Sequence, residues 1–147
     1  MFEVGNLFYF KEYIFKNGNT PKNKFFLVLK ALENGFIAAI LPTKVESLPS
    51  NIEKNHGCIS FPEKCICCYH IPKDIVVSNS GFSFQLDTFL YAQHVFDETE
   101  SNLFSTYPIE DIEFKGKILD IEFKKIIQCF SNSNQLPRKF RKDQFKL

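Results

Sequence analysis

Lys24 stands at the entrance of an apolar run, Phe25-Phe26-Leu27-Val28-Leu29, and Thr43 follows the exit of the next, Ile40-Leu41-Pro42. An ammonium stabilises negative charge developing on a reacting group, and a hydroxyl organises the proton transfers beside it. The two cooperate only if both runs are strands curled so that they face one groove. A second concentration of chemistry lies further on. Cys58, Cys65, Cys67 and Cys68 fall within eleven positions, flanked by His56 and His70, with Cys129 apart. Thiolates and imidazoles are the ligands zinc prefers. In a strand, however, the C-x-C-C spacing sends Cys65 and Cys67 to one face and Cys68 to the other, and free cysteines pack as small hydrophobes. The cluster therefore reads as buried structural thiols ahead of a metal site. An odd count of five cysteines and the lack of a secretion signal argue against a disulfide framework. His94, closing a long strand pattern, is either a general acid or base or a hydrogen-bonding residue at a sheet edge. Gly18 stands single, so the loop at 16–20 is not a phosphate-binding loop.

The elements that position these residues are mostly strands. Apolar or alternating runs bounded by Gly, Pro, Asn or Ser predict strands at about 6–10, 24–31, 35–41, 57–61, 65–70, 74–78, 82–91 and 110–115. In Phe82-Ser83-Phe84-Gln85-Leu86-Asp87 apolar and polar residues alternate without a break, and Asn79-Ser80-Gly81 before it suits a tight turn, so 74–91 is a candidate hairpin. One helix is expected late. Phe123, Ile126, Ile127 and Phe130 fall at i, i+3, i+4 and i+7, Asp120 can cap it, Glu122 suits its positive end, and Ser131-Asn132-Ser133-Asn134 stops it. A basic tail follows. Short antiparallel strands closed by one helix suggest a small barrel or sandwich filled by phenylalanine.

The 147 residues suit one domain, with a cysteine-rich insertion at about 50–80 and a helix plus basic tail at about 120–147. With 44% hydrophobic residues and 18 phenylalanines the chain is not disordered. It has no apolar run near the length of a spanning helix and no signal-like N-terminus, so it is expected to be soluble and cytoplasmic. A net charge of +1 argues against a general polyanion binder. The charge is nevertheless segregated. Lys11, Lys16, Lys22, Lys24 and Lys30 meet only Glu12, and the tail carries Arg138, Lys139, Arg141, Lys142 and Lys146. Between them, residues 97–122 are acidic. Such patches either steer an anion or are solvated faces.

Gly5-Asn6-Leu7-Phe8, the loop Asn17-Gly18-Asn19-Thr20-Pro21-Lys22, Lys24-Phe25-Phe26-Leu27-Val28-Leu29 and Leu41-Pro42-Thr43 together resemble the opening of the PemK/MazF family of bacterial toxins. A fainter similarity runs through residues 86–95. The resemblance implies an SH3-like barrel, usually a homodimer neutralised by an antitoxin protein, that cleaves single-stranded RNA without metal or cofactor. It assigns catalysis to Lys24, at the family's arginine position, and to Thr43. It assigns RNA contact to Lys16, Asn17, Asn19, Lys22 and Lys44. The family also has Pro at the position of Phe25 and Asp at that of Asn6. A lysine supplies the needed charge as a point ion, without arginine's bidentate fork.

Two further functions compete with the nuclease. A non-catalytic barrel binding nucleic acid or a protein would use exposed aromatics such as Tyr9, Phe15 or Tyr69. A subunit of a larger assembly would use a Phe-rich surface as its interface.

Overall fold

The computed structural model describes residues 1–13, 22–41 and 51–141. β1 (Asn6–Tyr13), β2 (Lys22–Ala31) and β3 (Gly35–Leu41) arise from the three apolar runs at the start of the chain. β4 (Gly57–Phe61) and β5 (Ile66–Ile71) are joined by a single 3-10 turn over Pro62–Lys64, which Cys65 ends in the left-handed conformation, φ 56°. β6 (Thr88–Tyr91), β7 (Val95–Thr99), α1 (Glu100–Thr106), β8 (Ile112–Lys117) and α2 (Asp120–Ser131) complete the order.

The strands form two antiparallel sheets. One has five strands in the order β7-β3-β2-β1-β8, the other three in the order β4-β5-β6. The chain is thus mostly β with a late helix, as expected, but among the described residues no barrel closes. Both faces of the larger sheet are covered, because its inner strands carry apolar residues at consecutive positions rather than at every second one. Leu7, Leu27, Leu29, Ile37 and Ala39 pack towards Tyr69 and Ile71 of β5, Leu90 of β6 and Ile126, Ile127 and Phe130 of α2. On the other face Phe8, Phe10, Phe26 and Phe36 pack with Phe2 and with Leu103 and Tyr107 of the α1 region. Each of these buried rings contributes about 2–3 kcal/mol through the apolar area it removes from water. A smaller cluster, including Ile59, Cys68, Phe89 and Tyr91, lies on the outer face of the three-stranded sheet.

The strands expected at 6–10, 24–31, 35–41, 57–61, 65–70 and 110–115 are present, with β1 and β8 running further. The 74–91 hairpin is only partly formed. Its turn is present: Gly81 has φ +84° and the Val77 amide donates to the Phe82 carbonyl at 2.9 Å. Beyond it the two arms share one bridge, Val76 to Ser83, and regular strand begins only at Thr88. Besides the Val77 and Asp74 amides, which donate across to Phe82 and Phe84, the first arm bonds elsewhere. Asn79 N–H donates to the Lys117 carbonyl, Leu119 N–H to the Val77 carbonyl, and Ser78 and Ser80 hydroxyls to the Lys115 carbonyl, so this arm is tied to the end of β8.

β7 and α1 have no counterpart in the strand pattern. β7 pairs with β3 through Gly35 opposite Thr99, an approach so close that a Cβ on Gly35 would collide with the Glu98 backbone carbonyl. Thr99 then caps α1, its hydroxyl accepting from the Asn102 amide at 3.2 Å. In α2 the expected apolar stripe is buried at Ile126, Ile127 and Phe130. The cap is Leu119 rather than Asp120, which lies inside the first turn, and no side chain closes that end.

Candidate nucleic-acid interface

Four rings meet where β1, β2 and the 82–84 arm converge. Tyr9 stands opposite Phe25 in the β1–β2 ladder, their ring centroids 4.8 Å apart. Phe25 in turn meets Phe82 at 5.5 Å and Phe84 edge-on at 5.1 Å, and Phe82 meets Phe84 edge-on at 5.1 Å. These offset and edge contacts are the arrangements the ring quadrupoles favour. The rings wall a cavity of about 340 Å³ whose rim includes Ser83, Gln85, Leu86, Thr88 and Lys115. Tyr9, Phe25 and Phe82 are only half-buried, so part of each ring remains available.

Lys115 of β8 supplies the charge. Its Nζ lies 5.8 Å from the Tyr9 ring centre and 5.9 Å from that of Phe82, within reach of both π faces. It also donates to Glu113 at 2.9 Å, and Lys11 pairs with the same carboxylate at 3.2 Å. The Lys115 hydrogen bond first, and then that of Lys11, hold the Glu113 carboxyl below its usual range. The rim is therefore a lysine–glutamate–lysine row with one positive charge in excess.

Lys24 lies near the start of β2, half-buried, directly across the ladder from Phe10. Successive residues of a strand face opposite ways. Phe25 lines the groove, so Lys24 belongs to the other face of the sheet, the side of Phe10 and Phe26. Lys22 opens β2 opposite Tyr13. Thr43, Lys44, Lys16, Asn17, Asn19 and Phe15 lie outside the described residues.

The remaining candidates are distributed elsewhere. Tyr69, expected as an exposed aromatic, is 1% exposed, and its hydroxyl donates to Glu122 at 3.0 Å. Burial first, and then the Glu122 charge, push the Tyr69 phenol up. Glu122 also meets His56 Nε2 at 2.5 Å, so a buried carboxylate joins β5, α2 and the approach to β4. His70 is buried and stacked on Phe89 at 4.6 Å. His94 ends a 3-10 turn after β6 rather than a long strand, edge-on to Tyr91 at 5.5 Å.

The cysteines depart most from expectation. Cys58 and Cys129 form a disulfide with a Cα–Cα separation of 5.5 Å, although they are 71 positions apart in sequence. Packing of α2 on β4 and β5 brings them together, a proximity that cysteine spacing does not express. Cys67 and Cys68 do face opposite sides, in the inner and outer clusters respectively. Cys65 lies in the turn before β5 and is exposed.

No protein-family model matches the chain, and no curated protein matches it. The site's chemistry therefore rests on its own residues. Phe25, Phe82, Phe84 and Lys115 are absent from the sequence-derived list because each reads as ordinary strand content. The legible signal is the pair Phe82-x-Phe84 behind a glycine turn. No helix of the described residues is long and apolar enough to cross a membrane.

Proposed function

We propose that this chain binds single-stranded RNA along the groove of Tyr9, Phe25, Phe82 and Phe84, without cutting it there. The observation that carries this reading is the four-ring wall with Lys115 above two of its members. Every base has a π face, and stacking one on an aromatic side chain contributes about 1–3 kcal/mol. The Ser83 hydroxyl and the Gln85 amide border the cavity and can meet base edges or the 2′-hydroxyl. Lys115 and Lys11 lie where a phosphate would run. Fluorescence anisotropy with short labelled oligoribonucleotides tests the reading. Phe82→Ala is expected to weaken binding about 5- to 150-fold, the equivalent of one lost stack. Absence of binding by the intact chain, or equal binding by the variant, overturns it.

Nuclease action is a second reading, favoured by one arrangement: Lys24 sits near the start of β2, and β3 ends at Leu41, two residues before Thr43. That order is what the PemK/MazF resemblance requires. In this reading the larger sheet belongs to an SH3-like barrel, the chain acts as a homodimer on single-stranded RNA, and an antitoxin restrains it. Gel analysis of RNA incubated with the intact chain and with Lys24→Ala decides it. Cutting lost in the variant supports it, and intact RNA in both removes it.

A further inference from the structure

Three sulfur atoms meet where β4, β5 and α2 converge. Cys58 and Cys129 are bonded, and the Cys67 Sγ stands 3.9 Å from that of Cys129, so all three lie within 4.8 Å of one another. We propose that in the reduced chain Cys58, Cys67 and Cys129 together hold one thiophilic divalent ion, zinc foremost, and that the Cys58–Cys129 disulfide is the metal-free, oxidised form of the same centre.

The distances suit this. With zinc–sulfur bonds of about 2.3 Å in a tetrahedron, neighbouring sulfurs lie about 3.8 Å apart. Cys67 and Cys129 already have that spacing. Only Cys58 must draw back once its bond to Cys129 is broken, and Cys58 is exposed on β4, an edge strand with room to adjust.

The surroundings also resemble those of a metal centre. Ser60 stands directly opposite Cys67 in the β4–β5 ladder, and the Cys67 thiol donates to the Cys129 carbonyl at 3.4 Å. Cys129 Sγ lies 3.5 Å from the Cys68 carbonyl. Such outer contacts orient ligands. Cys58 and Cys129 line a cavity of about 330 Å³ together with Ser60, Gln128, Asn132 and Ser133, from which water or a small ligand could supply a fourth ligand. Three protein ligands and one open position is the pattern of a reactive rather than a closed structural zinc. Cys68 and Cys65 are left out, the first because it faces the other side of β5 and the second because it lies in the turn before it.

Loading needs two electrons. A water-soluble phosphine supplies them, ending as its oxide with oxygen from water while Cys58 and Cys129 become thiols. The metal then displaces their protons and that of Cys67, so affinity falls as the solution is acidified. The test is titration of the reduced, phosphine-free chain with cadmium or cobalt(II), followed by the thiolate-to-metal charge-transfer absorption. One equivalent is expected to bind. Cys67→Ser is expected to weaken binding at least about 100-fold, since a thiolate ligand is lost. Cys58→Ser, at an exposed position, should do the same without opening a cavity. Cys65→Ser should bind as the parent chain does, and the oxidised chain should bind none. Absence of the absorption in the reduced chain, undiminished binding by both Cys67→Ser and Cys58→Ser, or equal binding by the oxidised chain overturns the proposal.

Discussion

The Tyr69 hydroxyl donates to the Glu122 carboxylate across the contact between β5 and α2, and both residues are buried. Removing the donor leaves the carboxylate its contact with His56. Removing the acceptor strands a buried phenol. Tyr69→Phe is therefore expected to cost about 1 kcal/mol and Glu122→Ala more, up to about 3 kcal/mol. Urea denaturation of both variants checks the order.

Gly35 is held against the backbone of β7 with no room for a methyl group. Because the obstacle is a main-chain carbonyl, no side chain can rotate away. Gly35→Ala should destabilise the chain by more than about 2 kcal/mol, within the range of overpacked positions. The cost should fall on the β3–β7 pairing, so amide exchange should accelerate first in Val95–Thr99.

Stability should decline in alkali. Burial first, and then the neighbouring Cys67, push the Cys68 thiol from 9.0 to about 12, and burial also raises Cys67. The folded chain keeps these protons when the unfolded chain has released them. Stability is thus full below about pH 9 and falls as pH rises towards 12, by at most about 4 kcal/mol from Cys68. Denaturation midpoints measured across that range should show this slope, and Cys68→Ala should flatten it.

RNA affinity should depend only weakly on salt, because the groove's rim carries one unbalanced lysine. Lys115→Ala is expected to reduce the slope of log affinity against log salt by about 1 and to weaken binding alike across sequences. A steep residual slope in that variant would place the phosphate contacts elsewhere.

How far the sequence reveals all this differs by element. β1, β2 and β3 are legible because long Phe-, Val- and Ile-rich runs between turn residues have no other stable placement. The α2 stripe is legible for the same reason at helical spacing. The 82–87 segment misleads: its alternation is real, yet Phe82 and Phe84 face Phe25 rather than a ladder partner, and Ser78 and Asn79 bond to β8 instead. Acidic β7 is made a strand by its neighbour β3, which local propensity does not register. Of the candidate site, Tyr9 is named by the sequence as an aromatic suited to binding, whereas the ring wall depends on pairing Tyr9 with Phe25 across two strands.

The Cys58–Cys129 bond closes a ring of chain containing β5, β6, β7, α1, β8 and most of α2. A protease that nicks the backbone once anywhere inside that ring opens it without releasing either piece. On a gel the cut protein would migrate as one species until a reductant is added, then separate into two. Resistance to fragmentation in this molecule is in that sense a question of electron supply as much as of backbone exposure.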